Sequence, residues 1–188
     1  MFVALLLAPA LLALSGCGSL LSSMNMGTIE DKPDERTMAQ VLEDNNIETK
    51  LTVNLPAENE AFQNSHLIVV SYNGYVLLAG QVNDAILKDT ATTVARKVKG
   101  VRRIYNELEI SPPTSALTRT NDAYLTTKLK SSLLTNSDIA GTHIKVVTEN
   151  SVVYLMGLAS AQEAEQVSRI ASKVSGVHRV VPLFEQIK

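Results

Sequence analysis

The feature that most restricts this chain is a duplication. Two stretches of about 65 to 70 residues match one another, so the fold of one copy must also serve the other. Ile47–Leu51 (IETKL) lines up with Leu125–Leu129 (LTTKL), and His66–Val82 (HLIVVSYNGYVLLAGQV) with His143–Ala159 (HIKVVTENSVVYLMGLA). Val94–Tyr105 (VARKVKGVRRIY) lines up with Ile170–Val181 (IASKVSGVHRVV). The offsets are 78, 77 and 76 residues, so single-residue gaps suffice.

Each copy reads helix, strand, strand, helix, strand. Leu125, Leu129 and Leu133 recur four residues apart and share one helix face. Leu51 and Leu55 keep that stripe in the first copy, where Pro56 is expected to limit the helix. Asn73-Gly74 between two β-branched runs is a strong hairpin signal, and Asn150-Ser151 takes its place in the second copy. A second amphipathic helix follows, carried by Ile86, Val94 and Val98 in one copy and by Ala164, Val167, Ile170, Ala171 and Val174 in the other. Gly100 and Gly176 come next, where a helix ends best in a residue without a Cβ. Two helices covering one face of a three-stranded sheet make each copy an α+β sandwich. Pro182 in the last strand predicts an edge position or an early end, because proline lacks the ladder donor.

The flanking segments divide the rest. Phe2–Leu14 is apolar but too short for a membrane span, which needs about 20 residues. No Lys or Arg precedes it. The run ends in LSGCGS, with Ser15-Gly16 before Cys17, the sole cysteine. Leu-Ser-Gly-Cys resembles a bacterial lipobox, which implies a signal peptide over 1–16 and an acylated Cys17 rather than a buried free thiol. Gly18 after the cysteine, by the same resemblance, favours the outer membrane. Residues 17–40 read as a lipidated flexible tether, and 111–120, with Pro112-Pro113, as a linker. The copies then occupy 41–110 and 121–188. With a single cysteine no intramolecular disulfide forms, and a net charge of −2 argues against a nucleic-acid partner.

The αββαβ unit with YVLLAGQV or VYLMGLA, followed by a helix ending VxGV, resembles the BON domain. Two such units behind a lipobox resemble the dual-BON outer-membrane lipoproteins, the lipid-binding type associated with division and outer-membrane stress. The resemblance implies two tandem αββαβ domains on a lipid anchor facing the periplasm, with no cofactor. Catalytic and metal motifs are missing: His66, His143 and His178 belong to no HExxH or ligand cluster, and the glycines form neither GxGxxG nor a P-loop. An enzyme is therefore not expected.

The stretch NDAYLTTKLKSSLL, Asn121–Leu134, has a second side. Tyr124, Thr127, Lys128, Ser131 and Leu134 fall away from the leucine stripe. The first copy has Asn46 at the position of Tyr124, so the fold itself does not require an aromatic there. A ring with a polar tip, an apolar side chain and lysines, with Lys130 nearby, suit a contact with anionic phospholipid such as phosphatidylglycerol. The related lipoproteins are thought to bind phospholipid through this helix, usually with Trp at the aromatic position. Two other readings stand beside that one. Tyr124 packs against the sister domain, or the protein is a scaffold that docks periplasmic protein partners without touching lipid.

Overall fold

The computed structural model of the protein describes residues 35–136 and 139–187. The signal peptide expected over 1–16 and the lipidation expected at Cys17 lie outside the described residues. The first copy contains α1 (Met38–Glu58), β1 (His66–Tyr72), β2 (Tyr75–Val82), α2 (Ala85–Lys97) and β3 (Arg103–Ile110). The second contains α3 (Ala116–Leu134), β4 (Lys145–Glu149), β5 (Val152–Met156), β6 (Leu158–Ala159), α4 (Ala161–Ser172), β7 (Arg179–Pro182) and β8 (Glu185–Gln186).

The three-stranded sheets run β1-β2-β3 and β4-β5-β7. In each, the hairpin pair is antiparallel and the pair joined across the second helix is parallel. The parallel pair β6/β8 prolongs the second sheet: the Leu183 amide donates to the Leu155 carbonyl at 2.7 Å and the Glu185 amide to that of Gly157 at 2.9 Å. Pro182 ends β7, which is an edge strand, so its missing N–H breaks no interior ladder.

Alternation along the strands builds two kinds of core. Val76, Leu78 and Val82 of β2 face the helices, packing with Ile47, Leu51 and Leu55 of α1 and with Leu87, Ala91 and Val94 of α2. Leu125, Leu129 and Leu133 of α3 do the same against Val153, Leu155 and Val167 in the second copy. The opposite faces of the two sheets meet each other. Val70, Tyr72, Leu77 and Ala79 join Val147, Val152, Tyr154 and Met156 in one apolar layer. The order is thus helices, sheet, sheet, helices, which explains why β2 and β5 are apolar on both faces. Burial pushes the Tyr154 hydroxyl up to about 12, with the nearby Glu107 charge adding to the effect.

The polar rim of this layer repeats as the sequence does. Asn73 Nδ2 donates to Glu185 Oε2 at 2.7 Å, and its counterpart Asn150 Nδ2 to Glu109 Oε2 at 3.5 Å. His66 Nε2 lies 3.2 Å from Glu149 Oε2, and at the equivalent positions the Tyr72 hydroxyl donates to the His143 carbonyl at 2.9 Å. Contacts exchanged reciprocally in this way are those of a two-fold dimer, here made within one chain. Two additions break the symmetry. Arg102 grips both oxygens of Glu185, at 2.9 and 2.6 Å, and that hydrogen bonding raises its already high pKa. The buried Glu149 also accepts from Gln81 at 2.7 Å and from Thr114 of the linker at 3.2 Å.

Four local expectations change. Pro56 does not stop α1, which runs two residues beyond it to Glu58. Ile86 is 72 % exposed, whereas the expected Val94 and Val98 are buried; the Asp84 cap sets a phase that puts Leu87, Ala91 and Ala95 beside them in place of Ile86. Residues 116–120 of the expected linker are helical, because Ser115 caps α3 by accepting from the Thr118 amide at 3.1 Å. Residues 35–40 of the expected tether are engaged with the fold. A reciprocal Thr37/Gln40 cap starts α1, and Arg36 bonds Asp44 at 2.7 Å.

Candidate functional site

α3 presents the side that the sequence singled out. Its leucine stripe is buried, and Tyr124, Thr127, Lys128, Ser131 and Leu134 are all exposed on the remaining arc. Tyr124 is 61 % exposed and Leu134 60 %. Tyr124 takes no part in the layer between the copies, since that layer is made by the sheets. The Lys128 ammonium lies 6.0 Å from the centroid of the Tyr124 ring, and the Thr127 hydroxyl donates to the Ala123 carbonyl at 2.9 Å.

Two residues of the helix escaped the sequence reading. Leu117 is 80 % exposed and sits seven residues before Tyr124, two turns back on the same side. It falls within 111–120, where Pro112-Pro113 and small polar residues read as linker and give no helical phase. Leu117, Tyr124 and Leu134 fall within about 100° of helical arc, along about 25 Å of helix at 1.5 Å per residue. Asp122 is the second. It is buried, and its carboxylate accepts from the Asn150 amide at 2.8 Å and the Ser151 amide at 2.9 Å. Those turn residues have φ of 50° and 62°, and Ser151 tolerates this left-handed conformation where the first copy has Gly74. The repeat itself carried the signal, because Asp44 stands at the matching position and clamps Asn73 and Gly74 at 2.7 and 2.8 Å.

Burial of Asp122 sets the electrostatics of the site. The charged residues of α3 are Arg119, Asp122, Lys128 and Lys130, and with Asp122 inside, its exposed charges are all positive. His66 and His143 sit near the strand entrances of separate copies, each beside a carboxylate: Glu149 for His66 and Glu35 for His143, the latter at 3.1 Å. Among the described residues no group of three or more His, Cys, Asp or Glu is placed to hold a metal ion. Nor, among them, is any helix long and apolar enough to cross a membrane.

The BON domain family model matches residues 43–112 and again 121–187. The chain belongs to the BON family. Each BON copy thus contributes one sheet to the central layer, and α3 is the first helix of the second BON unit. The chain is 35 % identical over 178 residues to the outer membrane lipoprotein DolP of Haemophilus influenzae, covering 95 % of this chain and 92 % of that protein. It is 32 % identical over 155 residues to a 21 kDa hemolysin of Actinobacillus pleuropneumoniae, covering 82 % and 80 % respectively. A solved structure of CdsD, a structural protein of the type III secretion system of Chlamydia trachomatis, aligns with 73 % of this chain and 92 % of its own at a TM-score of 0.33 and 11 % identity. A likeness at that level carries no argument.

Proposed function

We propose that this protein is a non-enzymatic BON lipoprotein of the outer membrane, facing the periplasm, whose α3 rests on anionic phospholipid such as phosphatidylglycerol and thereby supports outer-membrane integrity. One observation carries the lipid reading: on α3, Leu117, Tyr124 and Leu134 are exposed, and every exposed charge of the helix is positive. Apolar area entering the interface and lysines near phosphates, at about 1 kcal/mol each, act together there. An acyl anchor at Cys17 holds the helix near the bilayer, so a weak contact suffices.

The test is vesicle co-sedimentation of residues 18–188, which contain every described element, with Tyr124→Glu and Leu134→Glu alongside. Binding that requires phosphatidylglycerol and disappears in both variants, with circular dichroism unchanged, is the expected result. Wild-type protein that ignores such vesicles would leave the scaffold reading, in which BON copies dock periplasmic partners. That second reading draws on α1, where Met38, Leu42 and Val53 are exposed among uncharged Asn45 and Thr49.

A further inference from the structure

α3 ends at a cleft that the first BON copy helps to build. The cleft measures about 510 Å³, within the span of about 300–1,000 Å³ usual for small-ligand sites. Val41 from α1, Leu134 from α3 and Ile144 before β4 give it an apolar wall. Arg36, Lys130 and Lys145 give it positive charge from three separate segments. Arg36 is held in place by Asp44 Oδ2 at 2.7 Å and by the Tyr72 ring, whose centroid lies 3.7 Å below the guanidinium. Among the described residues, the one carboxylate lining the cleft is Glu35, which faces His143 Nε2 at 3.1 Å. Lys130 and Lys145 enter no ion pair among the described residues.

We propose that this cleft receives the phosphate of a phospholipid headgroup between Lys130, Lys145 and Arg36, with the adjoining glycerol and first acyl carbons against Leu134, Ile144 and Val41. Both BON copies then build the lipid site, and the inference rests on the lipid reading of α3. Three features support it. Lys130 and Leu134 belong at once to α3 and to the cleft lining, so the helix contact and the cleft are continuous. A phosphodiester joined to an apolar chain matches a wall that is part cationic and part aliphatic. Glu35 and Arg36, the described residues nearest Cys17 in sequence, are themselves cleft residues.

The experiment is a titration of amide NMR shifts in residues 18–188 with dihexanoyl phosphatidylglycerol below its micelle concentration. Dihexanoyl phosphatidylcholine and inorganic phosphate form separate arms. Saturable shifts at Arg36, Thr142, Ile144 and Lys145 are expected with phosphatidylglycerol, and Lys145→Glu weakens that binding about tenfold. Lys145→Gln, which removes charge without reversing it, gives a smaller loss and covers the case in which the glutamate variant misfolds. Shifts confined to α3, or unchanged affinity in both Lys145 variants, overturn the cleft while leaving the α3 contact standing. Inorganic phosphate binding as tightly as the lipid makes the cleft a phosphate site and overturns the assignment to lipid. Failure of wild type to respond to soluble lipid or to vesicles overturns the cleft and the α3 reading together.

Discussion

α1 and α3 are the same helix twice, and they diverge only on the outside. Ile47, Leu51 and Leu55 match Leu125, Leu129 and Leu133, and the buried clamp Asp44 matches Asp122. Lys50 matches Lys128. Beyond these positions the second copy replaces Glu43 with Asn121, Glu48 with Thr126 and Thr52 with Lys130. It also places Leu117, Tyr124 and Leu134 where the first has Ala39, Asn46 and Pro56. A duplicated domain keeps what the core and the turn require and is free to change only the surface. The consistent change on α3 is in charge, with acids lost and two cations gained (Lys130 for Thr52, Arg119 for Val41), while the exposed apolar groups move: Met38, Leu42 and Val53 give way to Ala116, Thr120 and Ser131.

The largest effect is expected where the copies are least free to differ. Tyr154→Ala empties the centre of the layer between the sheets and costs about 3–5 kcal/mol in urea unfolding. The loss should appear in probes placed in either copy. A variant that loosens only the second copy would break the picture of two halves sharing one layer.

The clamps come next. Asp44→Ala and Asp122→Ala each strand two turn amides, at about 2–3 kcal/mol. Asp44→Ala is the costlier, because Asp44 also holds the Ser71 hydroxyl at 2.6 Å and Arg36. Desolvation opposes ionisation of Asp44, but hydrogen bonds from Ser71, the Gly74 amide, Arg36 and the Asn73 amide outweigh it and hold its pKa below the ordinary 3.8. Its contribution is therefore present above pH 3.8 and is lost as pH falls through the lower, folded value. Acid unfolding followed by circular dichroism should show that limb flattened in Asp44→Asn.

The smallest effect sharpens the surface difference. Giving α3 the first copy's residues, Tyr124→Asn with Lys130→Thr, lowers vesicle affinity about tenfold while stability moves by less than about 0.5 kcal/mol. Leu117→Ala alone lowers affinity about threefold. Equal loss on altering Leu42 and Val53 of α1 would show that the two helices are not specialised after all.

Much of this was readable beforehand, for local reasons. The leucine stripe and the Asn-led turns act over a few residues, and each left a period or a turn signature; Gly100 and Gly176 do adopt positive φ, but in the turn after the second helices have ended at Lys97 and Ser172. The exposed side of α3 was legible because a stripe defines its own opposite. Leu117 was missed because polar and proline punctuation around it hid the helix start at Ala116. Ile86 was misplaced because neighbouring apolar residues leave the helical phase to the cap.

By itself the sequence determined two αββαβ units, their helix-facing cores and the outward side of α3, all through short-range periodicity. Only the tertiary structure decided that the units meet sheet to sheet, that Asp122 is drawn inside so that α3 is left purely cationic, and that the first copy closes a cleft against the second. Those outcomes depend on which distant surface covers which face, and such pairings are selected by complementarity between residues some seventy positions apart, which no local pattern encodes.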